Sequence, residues 1–570
     1  MYHSHEAFVL IQKMVKIPPS KALSLFNCSI FHGLQHTHQS ISFTLSLLVS
    51  SGLLAEAQSL LVQILSGRIS SSLFTSSSLL DQMTQAHLNS DSMYIRTYEA
   101  IVNAHVQSQL PNQAIFYFNQ MIDKGLIPRS NTFNRLLILL IRSNCFREAW
   151  WFFSERRSYV VLDVYSFGIM IKGCCEAGDL IKGFELLAQL EKVGLSPNVV
   201  LYTTLIDGCC KHGHIQQAKK LFHKMDDLCL VPNQYTYTAL IDGFFKKGLR
   251  KEGFQMYENM LQSGVVPNIY TYNCMIGEYC TDRKTDRAFR LLDEMREKGV
   301  NCTIVTYNVL IGGLCREMRV LEAETLLDQV MSIGLCPNIV TYNILIDGFC
   351  NIRNLDKALT LFDQLKSIGL SPSLVTYNIL IGGYSKAGNL TGILELVKEM
   401  QERNIYPSQV TYTILLDAFV RLDDMEKAIQ LHSSMEKSGL IPDVCMYGVL
   451  IHGFCMRGNM KEASKLFKAM DEVQLKPNDV IYNTMIHGYC KEDSSYRALR
   501  LLEEMVKNGM VPNVASYCST IGALCKDKKW REAEILISKM IDLGIEPSAS
   551  LFNMIYKVKI EVLNFDSRNG

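Results

Sequence analysis

The feature that most limits what this chain can fold into is its period: Val164 to Ser548 is eleven consecutive segments of 35 residues, without insertion or deletion. Val-Thr-Tyr-Asn-Ile-Leu-Ile-Asp-Gly-Phe-Cys runs from Val340 to Cys350, and Val-Thr-Tyr-Asn-Ile-Leu-Ile-Gly-Gly-Tyr-Ser from Val375 to Ser385. Two further units precede these, Ile95–Arg129 and the 34-residue Ser130–Asp163, whose last residue aligns with position 35. A worn copy lies around Leu53–Leu65, and an incomplete one starts at Ala549. A fixed period of this length belongs to repeat architectures, in which each unit is one supersecondary element.

With Tyr342 and its equivalents at position 4, apolar residues fall at positions 4, 7, 8, 11 and 12, the spacing of one helical face. Positions 20, 23, 24 and 27 repeat that spacing, as in Ala218, Leu221, Phe222 and Met225 and in Ala358, Leu361, Phe362 and Leu365. Glycine is common at position 15 or 16 and at position 31, where left-handed helix ends are expected, and proline follows at position 34, as in Gly264 and Pro267. Each unit is therefore a hairpin of two helices, A and B. One hairpin cannot bury both faces, so neighbours must stack, and the expected fold is all-α, a right-handed α-solenoid superhelix. The predicted organisation is a disordered or transit segment over 1–40, a degenerate helical repeat region over 41–94, thirteen repeats over 95–548, and a partial repeat with a C-terminal cap over 549–570.

Composition removes several classes. No run of 18 apolar residues occurs, so no membrane span is expected. A net charge of +1 is too small for a protein that grips nucleic acid mainly through phosphates, so any such binding must use the bases. None of the eighteen cysteines forms a C-x-x-C pair. Eight of them, Cys175, Cys210, Cys280, Cys315, Cys350, Cys455, Cys490 and Cys525, occupy position 12, where a small buried packing residue suffices as explanation. Two groups look like metal ligands: Cys28, His32, His36 and His38, and Cys209, Cys210, His212 and His214. The first falls in the expected presequence and the second includes a packing cysteine, so neither metal nor cofactor is expected. No H-x-E with P-C-x-x-C deaminase signature is present, and the 22 residues after Ser548 are too few for a catalytic domain, so a binder rather than an enzyme is expected.

A 35-residue helical hairpin opening with Val-Thr-Tyr-Asn, continuing with Leu-Ile-Asp-Gly-(Phe/Tyr)-Cys-Lys and closing with Gly-(Leu/Val)-x-Pro-Asn resembles the pentatricopeptide repeat family, in its pure-repeat class. The tetratricopeptide period of 34 with its Trp-Leu-Gly-Tyr pattern fits less well. The resemblance implies sequence-specific binding of single-stranded RNA, one base per repeat, in plant organelles. It also implies that positions 5 and 35 read a base edge, that position 2 covers a base face and that a basic residue near position 13 lies close to phosphate.

Position 5 varies among Asn, Thr and Gly while its neighbour at 4 stays Tyr or Phe, and helix capping shared by all units gives no reason for that variation. Asparagine offers a donor and an acceptor, whereas threonine offers one short hydroxyl, so the two can discriminate bases. By the family's pairing rules Asn134 with Asp163 implies U, and Thr203 with Asn233 and Thr238 with Asn268 each imply A. Asn273 with Thr303, Asn308 with Asn338 and Asn483 with Asn513 imply a pyrimidine. Asn343 with Ser373 and Asn378 with Ser408 imply C, and Thr413 with Asp443 implies G. Gly168 with Asn198, Gly448 with Asn478, and Cys518 with Ser548 depart from the common pairs, and Glu99 with Arg129 is not a readable pair. The resulting expectation is U-n-A-A-Y-Y-C-C-G-n-Y, where Y is a pyrimidine and n is open.

Position 2 carries Tyr165, Val200, Tyr235, Tyr270, Val305, Val340, Val375, Val410 and Val480, each able to cover a base face, or else a set of β-branched residues suited to an extended turn. Position 13 carries Arg142, Lys211, Lys246, Arg316, Lys386, Arg421, Lys491 and Lys526, either phosphate ligands or ordinary basic residues at a helix end. Eight phosphate contacts would give a slope of log K against log salt of roughly −6.

Between Ala7 and Ala55 there is no Asp or Glu, while Lys13, Lys16, Lys21 and many serines are present, as in an organelle transit peptide. The first arginine is Arg68, which departs from the usual arginine-rich pattern. The expected address is the mitochondrion, with the chloroplast as alternative. The expected partners are organellar single-stranded RNA and other RNA-processing proteins, with no membrane. The competing function is a peptide-binding scaffold of the tetratricopeptide type.

Overall fold

The structure is a computed structural model that describes residues 2–31, 36, 38–67, 69, 80, 91–437 and 440–569. The described residues form helices and connecting turns, with no strand among them. They fall into two compact units, residues 1–274 and residues 275–570.

The first unit opens with helices Tyr2–Val15, Pro19–Phe31, His38–Ser50 and Leu54–Leu65. Residues 2–31 thus differ from the disordered segment expected there: Met14, Ala22 and Phe26 are fully buried in the same core as Ile41 and Leu45. The acid-free, serine-rich composition obscured an apolar spacing that supports packed helices. His36, in the first candidate metal group, is a packing residue. Its ring lies 4.0 Å from that of Phe26, its Nε2 is 3.1 Å from Ser29 Oγ, and burial lowers its imidazole pKa to about 4. His32 lies outside the described residues, as does the side chain of His38.

From Ile95 onward the hairpins follow the predicted register. In the repeat beginning at Ile339, helix A is Ile339–Asn351 and helix B is Leu355–Ser367. Tyr342, Leu345, Ile346, Phe349 and Cys350 from helix A bury with Ala358, Leu361, Phe362 and Leu365 from helix B, as the spacing requires. Position 15 takes a left-handed conformation whatever residue stands there, φ 73° at Gly388 and 59° at Arg353, because only that turn reverses the chain between the helices. Non-glycine residues adopt it at a cost of about 1–2 kcal/mol. In the second unit Ala549–Asn569 follows the last hairpin as one helix, with Leu551 and Ile555 buried.

Stacking between hairpins rests on an interlock at helix A. A Cβ added to Gly208 or Gly243 would lie 2.4 or 2.5 Å from the sulfur of Cys175 or Cys210 in the preceding repeat. In the second unit the same Cβ on Gly313, Gly348 or Gly383 would lie 2.4–2.6 Å from Cys280, Cys315 or Cys350. The position-12 cysteines therefore serve as packing residues, and Cys175, Cys210, Cys280, Cys315 and Cys350 each press on a glycine at position 10 of the next unit, whereas Cys490 has Ala523 there. Burial raises the thiol of Cys350 to about 12, so it stays neutral and unreactive. Gly382, one residue before the interlock, faces open space, and a Cβ there would meet nothing within 4 Å.

These neighbouring glycines give opposite predictions. Gly383→Ala should lower stability by about 1–3 kcal/mol through overpacking, whereas Gly382→Ala should raise it by roughly 0.5–1 kcal/mol through helix propensity. Denaturant midpoints of the two variants would check this, and a destabilising Gly382→Ala would contradict the geometry.

Candidate nucleic-acid interface

The last residue of each repeat starts the next helix A. Asn198 Oδ1 accepts from Leu201 N at 3.0 Å, Asn338 Oδ1 from Thr341 N at 3.1 Å, and Asp443 Oδ1 from Met446 N at 2.9 Å. Ser373 and Ser408 form capping boxes with Thr376 and Thr411. Asp163 has the densest set, accepting from Ser166 N and Ser166 Oγ, each at 2.7 Å, and from Asn134 Nδ2 at 3.4 Å. Burial raises its pKa, but these hydrogen bonds outweigh burial and hold the carboxyl below its ordinary value. Position 35 is thus fixed at the helix N-terminus by its own capping bond.

Position 5 sits one turn into helix A, facing the following repeat. Thr203 and Thr238 bond through their hydroxyls to Thr236 and Thr271, each at 2.7 Å. Asn483 Oδ1 accepts from Ser516 Oγ at 2.6 Å. In the second unit, Asn308, Asn343 and Asn378 differ: their Oδ1 atoms are buried with no hydrogen-bond partner among the described residues. The threonine hydroxyl that could donate to each is engaged at position 35 instead, as in Thr341 with Asn338 at 3.3 Å and Thr376 with Ser373 at 3.2 Å. Asn134 and Asn273 in the first unit carry the same unpaired oxygen. Turning such an amide about χ2 exchanges donor and acceptor ends, so the group can meet either kind of base edge.

Position 3 of the following repeat is the residue that sequence reasoning missed. It is a hydroxyl residue opposite Thr203, Thr238, Asn308, Asn343, Asn378 and Asn483, whereas Leu201 stands opposite Gly168, Ile481 opposite Gly448 and, as an exception among the polar residues, Met446 opposite Thr413. Leu201 would contact a Cβ on Gly168 at 3.2 Å, and Ile481 one on Gly448 at 3.5 Å. Comparison of positions 3 and 5 across neighbouring units carries that signal. The Glu99 and Arg129 pair closes on itself: Arg129 N donates to Glu99 Oε1 at 3.1 Å and the two side chains form an ion pair at 3.7 Å. Burial raises the Glu99 pKa, with Arg129 pulling in the opposite direction.

The nine position-2 residues are all exposed, from 50% at Val340 to 66% at Tyr270. They lie within the first turn of helix A, so the extended-turn explanation does not hold, and exposed β-branched residues are disfavoured in helices. Between the repeats beginning at Leu374 and Gln409, a cavity of about 480 Å³ is flanked by Val375 and Val410, with Asn378, Ser408 and Lys386 in its wall. A second, of about 400 Å³, brings Val480, Asn483, Asn513 and Lys491 together. The predicted positions 2, 5, 35 and 13 thus converge at single sites in the second unit, each of a size that suits one nucleotide.

Position 13 closes helix A on that side. Lys211, Lys246 and Arg421 pair with Asp207, Asp242 and Asp417 four residues earlier, each at 2.6 Å. Lys386 donates to Asn351 Oδ1 at 2.7 Å. In the second candidate metal group, His212 Nε2 lies 2.8 Å from the Cys175 carbonyl, and burial raises the thiols of Cys209 and Cys210 to about 11 and about 12. Both cysteines are buried in the hydrophobic core.

Comparison with known proteins assigns the class. The PPR repeat family model matches residues 197–246, 232–281, 267–316, 337–386, 372–421, 407–456, 442–480 and 477–526. A PPR repeat model also matches 96–126, 305–335 and 515–545, and a pentatricopeptide repeat domain model matches 156–212. The chain belongs to the pentatricopeptide repeat family. Pentatricopeptide repeat-containing protein At4g11690 of Arabidopsis thaliana is 57% identical over 201 residues, 35% of each chain. Pentatricopeptide repeat-containing protein At2g18520, mitochondrial, from the same plant is 24% identical over 131 residues, 22% of this chain and 31% of that one. The matches therefore span about a third of the length of these curated relatives. The crystal structure of the pentatricopeptide repeat protein PPR10 from maize has the same fold, with a TM-score of 0.61 and 24% identity over 97% of this chain and 80% of that one.

Capping and cavity-facing roles separate under mutation. Asp163→Ala should cost about 1 kcal/mol as a lost cap. Because the folded-state pKa is lowered, that stabilisation is present above the unfolded pKa and disappears as pH falls through the folded one. Asn343→Ala with Asn378→Ala should change stability by no more than about 0.5 kcal/mol, since an unpaired amide contributes little. Unfolding midpoints at pH 7 and pH 3 would check both; a large loss from the asparagine pair would assign position 5 to the fold.

Proposed function

We propose that the protein binds single-stranded RNA by sequence, one base per repeat, and serves organelle RNA processing: intron splicing, protection of transcript ends or translation. The observation that carries this reading is the row of nine exposed apolar side chains at one register, flanking polar pairs held at fixed places. An exposed valine or tyrosine at these nine helix starts has no packing role in the free protein, yet it suits the face of a base. Pentatricopeptide repeats are known as modules in which a few side chains read one base each. The polar residues at positions 5 and 35 then supply the edge contacts, and the position-13 cations supply phosphate contacts. The residues at these positions bind and discriminate. The proposed address is the mitochondrion, supported by several similar proteins that carry that word in their names.

Binding of the full chain to a randomised single-stranded RNA pool tests this directly. The expected enrichment contains A-A-Y-Y-C-C-G, and the transcript that carries the site should be mitochondrial. Asn343→Thr with Asn378→Thr should move the two C positions to A or G. Lack of enrichment, or enrichment unmoved by the substitutions, would overturn base reading and favour a protein-binding scaffold.

A further inference from the structure

The eight cations at position 13 are not equivalent, and the residue one helical turn earlier, at position 9, divides them. Where position 9 is aspartate, the cation is paired in all three cases: Lys211 with Asp207, Lys246 with Asp242 and Arg421 with Asp417, each at 2.6 Å. Position 9 is Ile138 before Arg142, Gly312 before Arg316, Gly382 before Lys386, His487 before Lys491 and Gly522 before Lys526. Arg142, Arg316, Lys386 and Lys491 pair with no carboxylate among the described residues, and Lys526 has only a looser contact of 3.6 Å to Asp493. A carboxylate and a cation in contact sum to no net charge, and the carboxylate repels an incoming phosphate. In the repeat beginning at Ile339, Asp347 stands at position 9 and Asn351 replaces the cation altogether, accepting a bond from Lys386 of the next repeat.

The glycines at position 9 have no packing reason to be there. A Cβ on Gly382 or Gly522 would meet nothing within 4 Å, and one on Gly312 would meet Ile344 only at 3.7 Å. Mid-helix glycine costs roughly 0.5–1 kcal/mol, so the free protein would be more stable with alanine. Beside these glycines the cations gather: Arg316, Arg353, Lys386 and Arg421 line one cavity of about 340 Å³ in the second unit. Arg353, at position 15, pairs with no carboxylate among the described residues and adds a cation that the position-13 register does not include.

We propose that Asp207, Asp242 and Asp417 are built-in counterions that withdraw the cations of their own repeats from phosphate binding. Phosphate contact is then carried by Arg142, Arg316, Arg353, Lys386, Lys491 and Lys526. This rests on the RNA-binding reading for its ligand. It assigns position 9 the role of setting how strongly each repeat holds the backbone, independently of which base positions 5 and 35 read. The two A-reading repeats, beginning at Val199 and Gln234, hold the backbone weakly, while those beginning at Ile304 and Leu374 anchor it.

The test is the salt dependence of binding by the full chain to its selected RNA. Six available cations give a slope of log K against log salt of about −4, not the roughly −6 expected from the unmodified row. Asp207→Asn, Asp242→Asn and Asp417→Asn together should steepen it to about −6, and Gly312→Asp, Gly382→Asp and Gly522→Asp together should reduce it to about −2. Between 50 and 200 mM salt these slopes correspond to affinity losses of about several hundredfold, several thousandfold and somewhat more than tenfold. Base preference should be the same for all three proteins. The same order is expected with inorganic polyphosphate, a chain of phosphates without bases. Equal slopes in the three proteins, with RNA selection intact, would overturn this inference and leave base reading standing. The expected order on polyphosphate without selection from the RNA pool would support the partition of cations and overturn base reading.

Discussion

From Asp163 to Asn513, the residue that ends one repeat caps the next helix A with its side chain, whereas Arg129 does not. That capping bond, Asn338 to Thr341 N in one repeat and Asp443 to Met446 N in another, fixes where the hairpin starts. It also restricts position 35 to residues that cap, and from Asp163 through Ser548 the position is Asn, Asp, Ser or Thr throughout. Those four residue types differ in donors, acceptors and reach, so the set that capping permits is also one that can distinguish bases. The structural requirement and the proposed readout therefore do not compete. The side chain is held still by the fold, and a held side chain loses little conformational freedom when it meets a ligand.

The division of labour continues along helix A. Positions 4, 7, 8 and 11 are committed to the core, and positions 10 and 12 to the glycine and cysteine interlock that sets the approach of neighbouring hairpins. Positions 2, 5, 9 and 13 recur on the side that the core does not need. Position 2 stays exposed in nine repeats, position 5 keeps an unpaired oxygen in five, and position 9 carries a paired aspartate in three and a glycine in four others. An unpaired buried oxygen is unfavourable in a free protein, and its recurrence at one register marks a site shaped by something other than stability. Near-neutral overall charge fits the proposed arrangement, in which weak general attraction to phosphate leaves discrimination to the proposed base contacts.

The hairpins, their boundaries and their registers were legible in the sequence because each depends on residues three or four apart within one helix. What escaped notice depends on pairs 29 to 35 residues apart, such as Cys350 with Gly383 or Asn308 with Thr341, which meet only when hairpins stack. Position 3 is the clearest case. It belongs to the Val-Thr-Tyr motif, yet it is a hydroxyl residue after every asparagine at position 5 and an aliphatic residue, Leu201 or Ile481, after Gly168 or Gly448, with Met446 after Thr413 as an exception. The ion pair of Lys211 with Asp207 is local and could have been found, since aspartate four residues before lysine is a familiar helical spacing. At the N-terminus the absence of acids drew attention away from Met14, Ala22 and Phe26, whose burial gives residues 2–31 a packed helical form.

Modularity is the claim on which the account stands, and removing one module measures it. Deletion of residues 374–408, one complete repeat from cap to cap, should leave a folded helical chain that selects a sequence shorter by one C, A-A-Y-Y-C-G in place of A-A-Y-Y-C-C-G. Selection of the unshortened sequence, or loss of all selection by a protein that remains folded, would contradict one base per repeat.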